Sequence, residues 1–306
     1  MSFLDRIIES NQARFDAFLP LLVRRWQVGW IHRDIVPMVL ESSPRFAYDA
    51  DAIWLCAAPE DRGARTEAME AAVGLLARRG IVTQRGERLA VASRLGAAPL
   101  FELDCGATQH FGVRTYGVHV NGYVHHRGQL FVWLRRPARN GFEQTRPWST
   151  VVGSVVPPRR SLEQVLCEEA ATQAGIPCGL AAQGQLAGAI SWVRECPDGL
   201  APNTTFVFDL ELASFEPAPL QGRAEDFSLC PVEELRWLVS EPHHVDPSSA
   251  VVIIDFLLRH GAISPCEPDY SELVYRLRSG LRPRSWHQTP PFAVGFDSRE
   301  VAALRT

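Results

Sequence analysis

Thr150-Val151-Val152-Gly153-Ser154, a loop carrying Pro157, Pro158 and Arg160, and then Ser161-Leu162-Glu163-Gln164-Val165-Leu166-Cys167-Glu168-Glu169-Ala170-Ala171-Thr172-Gln173-Ala174-Gly175-Ile176 decide how this chain is read. The first piece is apolar and β-branched and ends on a glycine, which suits a strand that turns. The last piece predicts a helix from Ser161 to about Ala174. The Ser161 hydroxyl can cap the first free backbone N–H groups, and Gly175 can take the left-handed turn that ends a helix. Strand, turn and acid-bearing helix thus follow one another closely.

Just before this stretch, Tyr116 to Val124 alternates as a strand and pairs with Gln129 to Arg135 across the polar turn His126-Arg127-Gly128. Further strands are expected at Ala187 to Val193 and Thr204 to Leu212. Helices are expected at Val232 to Val239, Ser248 to His260 and Tyr270 to Leu277, with a turn at Gln221-Gly222 before them. Residues after about Gly280 are rich in Pro, Arg and Ser and read as an arm or tail. Toward the N-terminus, Phe3 to Arg25 shows helical apolar spacing interrupted by Pro20, and Ala52 to Ala58 reads as a short strand. Arg65 to Arg79 predicts an amphipathic helix, and Ile81 to Ala92 a hairpin turning at Arg85-Gly86. Three segments follow: an α+β domain over 1–108, a second domain over 109–280 and the tail over 281–306.

Composition narrows the classes. The 306 residues carry a formal net charge of -4, and 46% are hydrophobic. No global positive field invites nucleic acid or an anionic membrane. No apolar run of about 18 residues crosses a bilayer. All 31 basic residues are Arg, which excludes any Schiff-base or general-base lysine. Seven scattered Cys without a Cys-x-x-Cys pair fit free thiols in a reducing compartment and exclude the usual zinc spacing. Asp5 stands where a secretory leader would be basic, so the expected location is the cytoplasm.

The order strand, hairpin, Gly-loop, Glu-bearing helix closed by Gly-Ile, then more strands resembles the Nudix superfamily. Tyr116-Gly117-Val118-His119-Val120-Asn121-Gly122-Tyr123, Phe206-Val207-Phe208-Asp209-Leu210-Glu211-Leu212 and Ile254-Asp255-Phe256-Leu257-Leu258-Arg259-His260-Gly261 narrow the resemblance. They are similar to a branch that joins an uncharacterised N-terminal domain to a Nudix domain like the one fused to fungal thiamine pyrophosphokinases. Phe3-Leu4-Asp5-Arg6-Ile7 and Arg65-Thr66 agree with its N-terminal half. The resemblance implies an α/β/α sandwich with a mixed sheet, preceded by a small α+β domain. It also implies a helix whose clustered acids hold Mg²⁺ on a diphosphate and activate a water.

Aligned on Gly175-Ile176, the box departs from that pattern. Ser154 falls on a glycine, Arg160 on the upstream glutamate and Glu168 on the orienting arginine. Glu169 keeps the first acid of the helix. Thr172 and Gln173 stand where the metal-binding pair belongs. Downstream, Arg223 replaces one acid and Glu225 keeps another. On this reading Glu169 and Glu225 are the candidate catalytic residues. Arg160, Arg223, Trp192 and Gln173 are the candidates for ligand binding, Trp192 by stacking on a heterocycle. Glu169 and Glu168 are the candidate metal ligands, for a weak Mg²⁺ site or none.

Arg160 and Arg223 can pair bidentately with phosphate oxygens where carboxylates would repel them. The expected function is a divergent Nudix enzyme on a phosphate- or diphosphate-bearing small molecule, of the thiamine diphosphate class by resemblance, with metal-dependent hydrolysis weakened or altered. The alternative is a non-hydrolytic protein, either a ligand-binding regulator or an enzyme recruited to metal-independent biosynthetic chemistry. The expected partner is an anionic small molecule, and a homodimer stays open. Glu168 and Glu169 also fit a solvated helix face, and Trp192 a core position. His119 reads as a structural histidine, Cys167 as an inert buried thiol, and Asp255 as the partner of Arg259 one turn on.

Overall fold

The structure, a computed structural model, describes residues 2–49, 51–58, 61–136, 147–157, 160–218 and 226–279. Its contacts gather into two units that do not follow chain order. One holds Ala13–Arg114 and Val193–Pro202; the other holds Met1–Gln12, Thr115–Trp192 and Asn203–Leu281. The arm expected after Gly280 lies outside the described residues.

Helix α1 (Phe3–Glu9) belongs to the second unit. Its Arg6 is 2% exposed, and its guanidinium donates to the carbonyls of Val239 at 3.2 Å and Val245 at 2.8 Å while pairing with Glu9. A buried cation with satisfied donors explains why these first residues are bound to distant chain.

The first unit contains β1 (Phe18–Val23), β2 (Trp26–His32), α2 (Val36–Ser42), β3 (Phe46–Tyr48), β4 (Ile53–Leu55), α3 (Arg62–Arg78), β5 (Arg88–Val91) and β6 (Phe101–Asp104). Its main sheet has the order β2-β1-β4-β3. Two sequence expectations are corrected here. The helical reading of Phe3 to Arg25 holds only for α1, because Phe18-Leu19-Pro20-Leu21-Leu22-Val23 is a strand. A fully apolar run satisfies both periods, and burial of both strand faces decides. Pro20 is tolerated because only Leu21 and Leu22 pair with β4. The hairpin expected within Ile81 to Ala92 is absent too: β5 pairs with β6, ten residues further on, and Asp104 accepts the N–H groups of Arg85 at 3.0 Å and Gly86 at 2.9 Å. Helix α3 lays Ala68, Met69, Ala72, Val73 and Leu76 into the core.

The second unit adds β7 (Thr115–His126), β8 (Gln129–Arg136), β9 (Ser149–Thr150), β10 (Val152–Val155), α4 (Leu162–Ala174), α5 (Cys178–Ala181), β11 (Gln185–Cys196) up to Trp192, β12 (Gly199–Glu211) from Asn203, β13 (Asp226–Pro231), α6 (Val232–Ser240), α7 (Pro247–Arg259) and α8 (Tyr270–Ser279). Its sheet runs β11-β12-β7-β8-β13, with β10 on β7 and β9 on β8. β12 is parallel to β7, whereas β8 and β10 are antiparallel to it, so the sheet is mixed. β8 and β10 share one edge of β7: β8 pairs with Gly122 to His126, and β10 takes over from Val120 to Gly117. The predicted turn is present, with Arg127 at φ 50° and Gly128 at φ 80°.

Alternation along β7 separates two faces. Val118 and Val120 pack with Phe208, Leu210 and the α4 residues Val165, Leu166 and Ala170. Val132, Leu134, Val207, Ile190 and Trp192 pack with α6, α7 and α8 on the opposite face. The result is an α/β/α sandwich. The α7 face also buries Asp255, which pairs with Arg259 as expected at 2.8 Å and also with Arg278. Among the described residues no helix is long and apolar enough to cross a membrane.

Candidate functional site

Helix α4 is fixed at both ends. At its start, Gln164 N donates to Ser161 Oγ at 3.2 Å and Ser161 N to Gln164 Oε1 at 3.0 Å, a reciprocal cap. At its end, Gly175 sits at φ +65°, and a Cβ there would come within 2.9 Å of the Ala218 carbonyl oxygen. Only glycine meets both demands.

Gln173 ties α4 to β10. The Gly153 N–H donates to Gln173 Oε1 at 3.1 Å, and Gln173 Nε2 donates to the Gly153 carbonyl at 3.1 Å. The second Nε2 hydrogen goes to Glu169 Oε2 at 2.7 Å. The side chain is buried, and both its donors and its acceptor are used. A carboxylate at this position could take the Gly153 N–H but could not donate to the carbonyl or to Glu169. Gln173, chosen from the sequence as a ligand contact, has its amide occupied by the protein itself.

Glu168 is exposed and forms an ion pair with Arg160, which stands just before the Ser161 cap. Both side chains are about half in solvent, with relative exposures of 51% and 43%. Screening at such exposure leaves little net stabilisation. Arg160 thus stands at the mouth of the turn between β10 and α4, as a cation that solutes can reach. Glu169 is half-buried and held by Gln173. Glu225 and Arg223 lie outside the described residues.

Hard divalent cations need several oxygen ligands. Among the described residues no three His, Cys, Asp or Glu side chains converge to hold one. Of the two acids on α4 assigned to metal, Glu168 is paired with Arg160 and Glu169 accepts an amide hydrogen.

The face of the sheet that carries α4 also carries aromatic surface. Trp133 is opposite Gly122 and Leu229 in register, and Phe227 is opposite Arg135, so all share the α4 face with Val120. Tyr116, Trp133, Phe206 and Phe227 border the α4 core and are only partly buried, and Leu229 is 39% exposed. The Trp133 indole N–H finds no acceptor among the described residues. Trp192, the aromatic chosen from the sequence, is 9% exposed within the core of the opposite face. Strand alternation puts the two tryptophans on opposite faces of the sheet, which follows from the register of β8 against β7. The signal was present in Gln129 to Arg135, where Phe131, Trp133 and Arg135 occupy alternate positions.

The opposite face is structural. His119 Nδ1 meets Thr150 Oγ1 at 2.8 Å. Withdrawal from water lowers its pKa to about 4, against the pull of Asp246 and with a smaller contribution from Arg135. The ring is neutral at neutral pH, in line with the structural reading. On β12, burial would raise Asp209, but hydrogen bonds from His260, Arg259 and Asn121 outweigh it and bring the carboxyl to about 2.

One expectation about cysteine fails. Cys167 and Cys178 are joined as a disulfide, with Cα atoms 4.6 Å apart and a sequence separation of 11. The Gly175 turn reverses the chain and brings them together. Such spacing has no signature in sequence.

A domain of unknown function (DUF4743) matches residues 2–115, and the second unit's main segment begins at Thr115. Two proteins of Arabidopsis thaliana are similar over most of the chain. "Nudix hydrolase 24, chloroplastic" is 30% identical over 292 residues, covering 91% of this chain and 78% of its own length. "Nudix hydrolase 20, chloroplastic" is 28% identical over 293 residues, covering 90% and 78%. Among solved structures, the Nudix domain of Shewanella oneidensis NrtR complexed with ADP ribose aligns with 49% of this chain and 90% of its own, at 14% identity and a TM-score of 0.37.

Proposed function

This chain belongs to the Nudix hydrolase family, and we propose that it acts on a small molecule that joins a phosphate or diphosphate to a flat heterocycle, with little dependence on a divalent cation. The observation that carries this reading is the Gln173 amide. It fastens α4 to Gly153 and Glu169 by hydrogen bonds alone, at the position where the family resemblance places a metal-binding glutamate. A helix held in this way does not need a cation to neutralise repelling acids.

Charge neutralisation then falls to arginine. Arg160 is half-exposed beside the β10–α4 turn, and a guanidinium can exchange the Glu168 carboxylate for phosphate oxygens at small cost, because an exposed ion pair is weak. Arg223 is assigned the same task from the sequence. Glu169 and Glu225 stay as the acids available to orient a water. Trp133 and Phe227 offer a stacking surface for a ring on the same face. Thiamine diphosphate, a charged heterocycle on a diphosphate, is the ligand class suggested by the branch resemblance.

The pairing of two α4 acids, Glu168 with Arg160 and Glu169 with Gln173, also favours a second reading in which this face binds such a ligand without hydrolysing it. One experiment separates these readings from ordinary Nudix hydrolysis. Phosphate release is measured directly on thiamine diphosphate, and after phosphatase treatment of the phosphomonoester products on nucleotide sugars and dinucleotides, with Mg²⁺ and with EDTA. Slow release that EDTA leaves unchanged supports the first reading, and binding without release supports the second. Rapid turnover that EDTA abolishes overturns both.

A further inference from the structure

We propose that Cys167 and Cys178 form a reversible thiol–disulfide exchange site that fastens the end of α4, and that its reaction partner is a low-molecular-weight disulfide. The proposal is independent of the substrate and metal readings above. The two Cα atoms are 4.6 Å apart, within the ~4.4–6.8 Å that a disulfide bridges without backbone movement.

The turn that brings the cysteines together does not depend on the bond. The N–H of Gly175 donates to Ala171 and that of Ile176 to Ala170, each at 3.1 Å. The Ile176 side chain is fully buried. Leu180 and Ala181 N–H groups both donate to the Pro177 carbonyl at 2.9 Å. The reduced thiols therefore stay neighbours, and exchange needs no refolding.

Access is also provided. Cys178 is exposed and Cys167 is half-buried behind it. The other described thiols lack a partner of this kind: Cys56, Cys105, Cys196, Cys230 and Cys266 are free. Burial pushes Cys230 up to about 12 and raises Cys56 and Cys105, which makes them poor nucleophiles at neutral pH.

The chemistry balances as two exchanges. The Cys178 thiolate attacks one sulfur of the external disulfide, forms a mixed disulfide and releases one thiol. The Cys167 thiolate then attacks the Cys178 sulfur and releases the second thiol. The protein loses two protons and two electrons, and the external disulfide is reduced to two thiols. The closed loop contains Glu168, Glu169 and Gln173, so the bond restrains the segment that joins α4 to β10.

The test equilibrates the full chain in glutathione mixtures of stepped poise, quenches with acid, alkylates and maps the peptides by mass spectrometry. The same samples are followed by amide hydrogen exchange over residues 168–176. The expected result is a Cys167–Cys178 link, about 2 Da lighter than the reduced pair, that forms in oxidising mixtures and opens in reducing ones. Circular dichroism stays unchanged, and amide exchange is several-fold slower in the linked form. The exposed substitution Cys178→Ser removes the link and the difference in exchange. The proposal is overturned by no link at any poise, a link that survives the whole reducing range, pairing with another cysteine, or identical exchange in both forms.

Discussion

The Gln173 side chain holds both backbone groups of Gly153, accepting its N–H and donating to its carbonyl, each at 3.1 Å. A neutral amide thus occupies the position that a metal-binding acid takes in the resemblance. The consequence is measurable. Gln173→Glu removes both donors and sets a second carboxylate one turn from Glu169. In EDTA it is expected to cost about 2 kcal/mol, the penalty of breaking buried hydrogen bonds. The new acid pair also provides two cation ligands, so Mn²⁺ restores part of the loss. Urea unfolding in EDTA and in Mn²⁺ checks both statements, and an unchanged midpoint in EDTA contradicts the clamp.

Exchanging the two tryptophans separates surface from core. Trp192→Ala empties a core position and is expected to cost roughly 3–5 kcal/mol while leaving ligand binding by the folded fraction unchanged. Trp133→Ala is expected to cost less stability and to weaken thiamine diphosphate binding. Thermal unfolding and fluorescence titration of both variants form the check. The opposite pattern would place the cleft on the α7 face.

The Asp209 cluster sets the acid limit of stability. Its carboxyl is brought to about 2, while an unfolded Asp titrates near 3.9. Its contribution is complete above the unfolded value and is lost as pH falls through the folded one. Over that window about 2 kcal/mol disappears. In Asp209→Asn the loss between pH 4 and 2 flattens, and unfolding at stepped pH measures it.

His119 acts in a higher window. Its folded pKa of about 4 lies below the ordinary value of 6.5. The unfolded chain therefore takes up a proton first as the solution is acidified. Stability is complete above pH 6.5 and falls by about 3 kcal/mol on the way to pH 4. His119→Gln removes that slope and keeps a hydrogen bond to Thr150 within reach. An unaltered slope in the variant contradicts the assignment.

The sandwich was legible because its signals are local. Ser161 and Gly175 bracket α4, Arg127-Gly128 makes the hairpin, and α7 is apolar along almost its whole length, as a helix buried all round must be. The N-terminal strand β1 was not, since Phe18-Leu19-Pro20-Leu21-Leu22-Val23 is apolar at every position and leaves no period to read. Glu168 and Glu169 stand on α4 and Arg160 just before its cap, positions that follow from the helix start and stop alone. Whether Trp133 or Trp192 faces the same way depends on strand register, and whether Cys167 meets Cys178 depends on a turn. Neither is encoded in spacing. Gln173 was seen as a departure from the acid pattern, but its bond to Gly153 belongs to the tertiary structure.

Above all, we propose that phosphate is held beside Arg160 without a divalent cation. Titration calorimetry of the full chain with thiamine diphosphate, in EDTA and again in Mg²⁺, tests it most directly, with Arg160→Ala alongside. The account predicts the same Kd in both buffers, weakened about tenfold by Arg160→Ala, the loss of roughly one charge-assisted contact. Binding that appears only with Mg²⁺, and that Arg160→Ala leaves unchanged, would contradict it.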